Sequence, residues 1–207
     1  MKIYFVRHGQ TTFNKEKRHQ FSDTPLSDRG LKQAEFVAKR FETIPVDLIV
    51  SSTYTRALQT AQKIQEVTQK EIITTDLLIE KRHPSIFWGK LRSEPAVVTI
   101  KDLVKQNSHD KTWHHSDEEN FHDVHQRAKR ALQFLLDQNK ENIIAITHGY
   151  MLSLFAMTMM LGDNITYDLH HVFDKFAHSQ NTGITMCEYT EDTWKLLTWN
   201  DYAHLGE

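Results

Sequence analysis

The chain has 207 residues, 39% of them hydrophobic and 25% charged, with a formal net charge of −2. That length and mixture suit one well-packed domain over residues 1–207, and the near-neutral charge gives no general electrostatic reason to expect nucleic acid or an anionic membrane as a partner. A single cysteine, Cys187, excludes an intramolecular disulfide and any Cys-based metal motif.

The N-terminal MKIYFV is too short for the apolar region of a secretory signal and runs directly into Arg7, His8 and Gly9, so the expectation is a cytoplasmic protein. KIYFV is the first of four short, β-branched runs bounded by polar residues; VDLIVSS, EIITT and NIIAITHG are the others. Runs of this length and composition fit strands buried on both faces. After the first strand, Leu31, Ala34, Val37, Ala38 and Phe41 recur at helical spacing, with Ser27 placed to cap that helix. VDLIVSS leads into a second helical pattern, Ala57, Ala61, Ile64 and Val67, with Thr53 as its expected cap and Arg56 in its first turn.

Residues 81–116 break this rhythm. They hold Pro84, Gly89, Pro95 and several aromatics, and read as a lid-like insertion over the sheet edge, too small to bury a core of its own. A third helix is expected over 117–137 and a fourth over 150–161, the latter a buried, Met-rich helix backing the turn at His148. GITMCEY and WKLLTW read as a closing hairpin. The alternation predicts an α/β fold with a mostly parallel sheet flanked by helices on both faces.

Parallel strands end on one edge of their sheet, and ligands of open α/β sheets bind outside that edge. The first and fourth strands end in Arg7-His8-Gly9 and Thr147-His148-Gly149, and the second delivers Arg56 at a helix N-terminus. Two arginines, two histidines and a helix N-terminus form a site for a phosphate or carboxylate. A neutral histidine can also attack phosphorus, provided arginines stabilise the transferring group and an acid protonates the leaving oxygen. Glu80 is the best-placed carboxyl. Each residue taken singly has a plainer reading: a strand-end turn for His8 and His148, a surface helix position for Arg56, a solvated carboxylate for Glu80.

In order along the chain, RHGQTTFN, DTPLSDRGLKQA, SSTYTRALQTA, a glutamate beyond, SDEENFHDVHQRAKRAL and THG resemble the histidine phosphatase superfamily, the phosphoglycerate-mutase-like fold. The resemblance implies His8 as the nucleophile that becomes phosphohistidine. It implies Arg7, Arg56 and His148 as phosphate ligands, Asn14, Gln20 and Gly149 as substrate contacts, and Glu80 as general acid. It implies a small phosphorylated metabolite as substrate, with no cofactor and no metal required. EKRHPSIFWGK departs from the Gly-rich stretch ending in Glu-Gly that many members carry after the acidic residue. That departure and the compact insertion favour a phosphatase over a mutase using the same chemistry; a non-catalytic phosphate-binding module is the third reading. The 13 histidines invite a metal site around His114, His115, His122 and His125, but no carboxylate–histidine motif accompanies them, and His170 and His171 read as surface or lid residues. No repeat or heptad speaks to oligomeric state.

Overall fold

The computed structural model describes residues 1–206. Six strands form one sheet in the order β3-β2-β4-β1-β5-β6. They are β1 (Lys2–Arg7), β2 (Leu48–Ser52), β3 (Ile72–Thr75), β4 (Asn142–Thr147), β5 (Ile184–Thr190) and β6 (Thr193–Asp201). The first four run parallel, β5 pairs antiparallel with β1, and β6 pairs antiparallel with β5. The sequence-based strands and the closing hairpin are therefore all present.

Side-chain alternation divides the core. Ile3 and Phe5 of β1, Leu48 and Val50 of β2, and Ile143 and Ala145 of β4 pack on one face. Against them lie Val124, Ala128 and Leu135 of α5 (Phe121–Asp137) and Leu152 and Phe155 of α6 (Gly149–Leu161). Tyr4, Val6, Ile49, Ile144 and Ile146 face the other way, onto Val37 and Phe41 at α2 (Asp28–Arg40) and Ala57, Ala61 and Ile64 of α3 (Thr55–Thr68). Burial on both faces explains why these strands are continuous apolar runs rather than alternating ones.

Ser27 caps α2 as expected, its hydroxyl accepting from the Gly30 amide. Thr53 does not cap α3. The N-cap is Tyr54, and Thr53 Oγ1 instead donates to Asp76 at 2.6 Å, tying the β2–α3 turn to the chain after β3. The third helix begins at Phe121, four residues later than expected, because Asn120 and Asp123 form a reciprocal capping box there. The insertion carries a helix that the sequence pattern did not reveal, α4 (Pro95–Gln106), in which Val97 is the one buried residue. A second unanticipated helix, α7 (Tyr167–Phe176), packs against α6. It buries His170, which is 1% exposed and within hydrogen-bond distance of Ser153 Oγ at 3.0 Å, so His170 is an internal residue and not a surface one.

Candidate active site

The register of β1 and β4 pairs Arg7 with Thr147, so His8 and His148 leave the sheet side by side, with ring centroids 5.0 Å apart. Where β1 ends, the chain passes beneath α2. A Cβ on Gly9 would lie 2.6 Å from the Gly30 carbonyl oxygen, and one on Gly30 would lie 2.0 Å from the Gln10 carbonyl oxygen. Two glycines thus allow a backbone-on-backbone contact that no side chain would fit. The Gly9 amide donates to Thr60 Oγ1, whose own proton goes to the Arg56 carbonyl, linking this turn to α3. Gly149 is different. A Cβ there would meet Arg7 Nε at an ordinary 3.5 Å.

His8 is 2% exposed. Its Nδ1 lies 2.7 Å from the Gly9 carbonyl oxygen, which can only accept, so Nδ1 carries the proton and Nε2 the lone pair. Arg56 Nε donates to that lone pair over a long 3.3 Å, and Arg56 also donates to the Phe21 carbonyl at 2.9 Å. Burial, then Arg56 and Arg7, push the His8 pKa well below its ordinary value, which keeps the ring neutral.

His148 is held in the same way. Its Nε2 lies 2.9 Å from Ser52 Oγ, which also accepts from the Tyr54 amide. His148 Nδ1 is buried with no partner. Burial and the nearby Arg56, His8 and Arg7 also hold His148 neutral. Arg7 donates through a terminal nitrogen to the Ser179 carbonyl, while its Nε is buried and unpaired. A buried polar atom left without a partner costs about 1–3 kcal/mol, and an anion would relieve that cost at Arg7 Nε, and at His148 Nδ1 in the tautomer that carries hydrogen there.

Two adjoining cavities, of about 270 and 280 Å³, open at this edge. Arg56 and Gln20 line the first, Arg7 and Gly149 the second, and Glu80 lines both. Glu80 sits at the start of α6, where its carboxylate accepts from the Lys81 amide at 3.1 Å and, at 3.5 Å, from the Tyr150 amide. Gln20 Oε1 accepts from Thr11 Oγ1 at 2.8 Å. Asn14, like the buried His8 and His148, lines neither cavity, and its side chain completes the capping box of the short helix α1 (Thr12–Lys15).

The sequence matches the family model of the histidine phosphatase superfamily, branch 1, over residues 3–202. The chain belongs to that superfamily. It is 30% identical over 210 residues to a probable phosphatase of Schizosaccharomyces pombe, covering 99% of this chain and 95% of that one. It is 28% identical over 212 residues to phosphoglycerate mutase-like protein 4 of Arabidopsis thaliana, covering 99% of this chain and 87% of the relative. Among solved structures, YhfR of Bacillus stearothermophilus matches with a TM-score of 0.83 at 26% identity, covering 99% of this chain and 98% of that one. Phosphatase and mutase names both occur among the relatives of this histidine phosphatase superfamily chain. No helix among the described residues is long and apolar enough to cross a membrane.

Several supporting residues of this superfamily site were not singled out from sequence. Asn181 Nδ2 donates to the His8 carbonyl at 2.9 Å from the loop before β5. Arg127, 5% exposed on α5, makes a two-pronged ion pair with Glu119, both bonds 2.7 Å. It also donates to the carbonyls of Leu77, Ile79 and Glu80, and so fixes the chain that presents Glu80. A signal was available: Arg127 falls on the apolar stripe Val124, Ala128, Ala131 and Leu135, where a charge must be buried and therefore paired. Asn181 leaves no such mark, because an asparagine in a loop is ordinary.

Proposed function

We propose that this protein is a phosphatase that hydrolyses a phosphomonoester through a phosphohistidine formed on Nε2 of His8. The observation that carries this reading is the tautomer of His8. The Gly9 carbonyl holds the proton on Nδ1, so the nitrogen beside Arg56 is the one with a free electron pair. An incoming phosphate would take Arg56, Arg7 and the Nδ1–H of His148 as donors, and Arg56 would release its long contact to Nε2 as it did so.

Nε2 then attacks phosphorus in line, the ester P–O bond breaks, and the leaving oxygen takes a proton from the Glu80 carboxyl. In the second step the Glu80 carboxylate takes a proton from water, water oxygen bonds to phosphorus, and the P–N bond breaks to free inorganic phosphate. The arginines spread the developing charge on the phosphoryl oxygens in a site where water screens little. The substrate is a small phosphorylated metabolite. Gln20, lining the cavity beside Arg56, would contact its organic part, while Asn14 would act through the loop that carries Thr11.

The test is hydrolysis of 4-nitrophenyl phosphate in excess chelator, with the parent protein and His8→Ala side by side. Chelator-resistant turnover that disappears in the variant is expected, together with an acid-labile, alkali-stable phosphate on the parent protein. Residual turnover in His8→Ala would refute the role of His8. Phosphate that stays on the protein until a second substrate removes it, and is not lost to water, would replace hydrolysis by the mutase reaction.

A further inference from the structure

Tyr54 occupies the N-cap of α3, a position where Ser, Thr, Asp or Asn would accept from the free amides of the first turn. Its side chain makes no such bond, so the helix forgoes a stabilising cap. Local rules of this kind are broken most often where a residue serves a site. The Tyr54 ring lies against two residues of the phosphate site. The Arg56 guanidinium carbon sits over it, 4.9 Å from the centroid, and the His148 ring makes a T-shaped contact at 5.3 Å. The Tyr54 amide also reaches Ser52 Oγ at 3.3 Å, the atom beside His148 Nε2.

Arg56 has little else to fix its plane. Nη1 donates to the Phe21 carbonyl, and Nε makes only the long contact to His8 Nε2. Among the described residues Nη2 has no hydrogen-bond partner and Arg56 makes no ion pair. The contact to His8 is the one that an incoming phosphate must displace. Once it is released, a single carbonyl and the Tyr54 ring face hold the guanidinium. Burial lowers the Arg56 pKa to about 10, and a cation so poorly hydrated gains more from a ring face than one in water. Tyr54 also lines the first cavity beside Gln20 and Glu80, so its hydroxyl could meet substrate as well.

We propose that Tyr54 is a positioning residue of the phosphate site, its ring face holding the Arg56 guanidinium in place for the phosphoryl oxygens when the contact to His8 is given up. The proposal rests on the reading of Arg56 and His8 as phosphate ligand and nucleophile, and it assigns Tyr54 no proton transfer. A cation–π contact in a desolvated site contributes on the order of tenfold in an equilibrium.

Calorimetry with orthovanadate, a phosphate mimic, reads the placement of Arg56 without requiring turnover. Tyr54→Leu is expected to weaken vanadate binding about tenfold, with a urea midpoint close to that of the parent. Tyr54→Phe keeps the ring and loses only the hydroxyl, and should restore most of the affinity. A double-mutant cycle with Arg56→Ala separates positioning from a general structural effect. If the ring acts through Arg56, Tyr54→Leu changes little once the guanidinium is gone; a structural effect would add in full. Parental affinity in Tyr54→Leu, a Tyr54→Phe variant as weak as Tyr54→Leu, or an additive cycle overturns the proposal. Vanadate binding that Arg56→Ala leaves intact would refute the phosphate-site reading beneath it. Coupling of Tyr54 to Arg56 in a protein that never hydrolyses a phosphomonoester would refute the phosphatase reading alone.

Discussion

Replacing Arg127 by Met removes a buried charge while keeping much of the side-chain volume. Glu119, 3% exposed, would lose two 2.7 Å bonds and keep the Arg82 amide at 2.9 Å and the exposed Arg82 guanidinium at 3.6 Å. The carbonyls of Leu77, Ile79 and Glu80 would each lose a donor. Breaking one side of a buried pair costs about 3–5 kcal/mol, because the remaining charge is left uncompensated. The three orphaned carbonyls place Arg127→Met toward the upper end of that range. For a chain of this length the loss corresponds to a fall in Tm of roughly 6–20 °C.

Urea unfolding at pH 7 measures the loss directly. Two internal checks come with it. Burial pushes the Glu119 carboxyl up, but the Arg127 hydrogen bonds and charge more than reverse this and leave it below its ordinary value of 4.5. Without Arg127 that carboxyl can take a proton as the pH falls, so the penalty should shrink on acidification. Arg127→Met combined with Glu119→Gln should recover about 2 kcal/mol or more, since no buried charge remains. A single variant within about 1 kcal/mol of the parent, or a double variant less stable than the single, would refute the argument. Because Arg127 grips the carbonyl of Glu80, turnover in the surviving folded fraction should also fall.

Glu80→Gln should slow alkyl phosphates far more than nitrophenyl phosphate, whose leaving group needs little protonation; equal losses on both would exclude Glu80 as the acid. Acid should destabilise the fold early. His8, His148, His83 and His19 all have native pKa values below 6.5, so below that pH the unfolded chain binds protons that the native state refuses. Their stabilisation is complete above 6.5 and drains as the pH falls, by up to about 1.4 kcal/mol per histidine per pH unit. A urea midpoint unchanged between pH 7 and 5.5 would contradict this. Gly30→Ala, whose methyl would press into the Gln10 carbonyl, should cost at least about 2 kcal/mol and disturb the loop after His8; a variant with parental stability and activity would show that the turn relaxes freely.

Much of the architecture was legible from residues alone. Four apolar runs and two helices of clear period determined a doubly covered parallel sheet, and Arg7-His8-Gly9 and Thr147-His148-Gly149 sat at ends that a parallel sheet must bring together. The amphipathic pattern failed where tertiary contact replaced it. In α4 a single side chain, Val97, is buried, so no periodic stripe exists to be read. Leu169, Val172 and Phe176 of α7 stand exposed while His170 lies inside, reversing the usual code. Thr53 looked like a cap, but Asp76, 23 residues later, draws its hydroxyl away.

Sequence by itself determined the kinds of chemistry available and the sheet edge on which they gather, because strand-end composition is local and the alternation of strands with helices implies parallel strands. Only the tertiary structure decided the tautomer of His8 and the buried pair that steadies Glu80. Each depends on atoms brought from separate parts of the chain into a low-dielectric interior, where proton positions and charges are set by neighbours that no local pattern names.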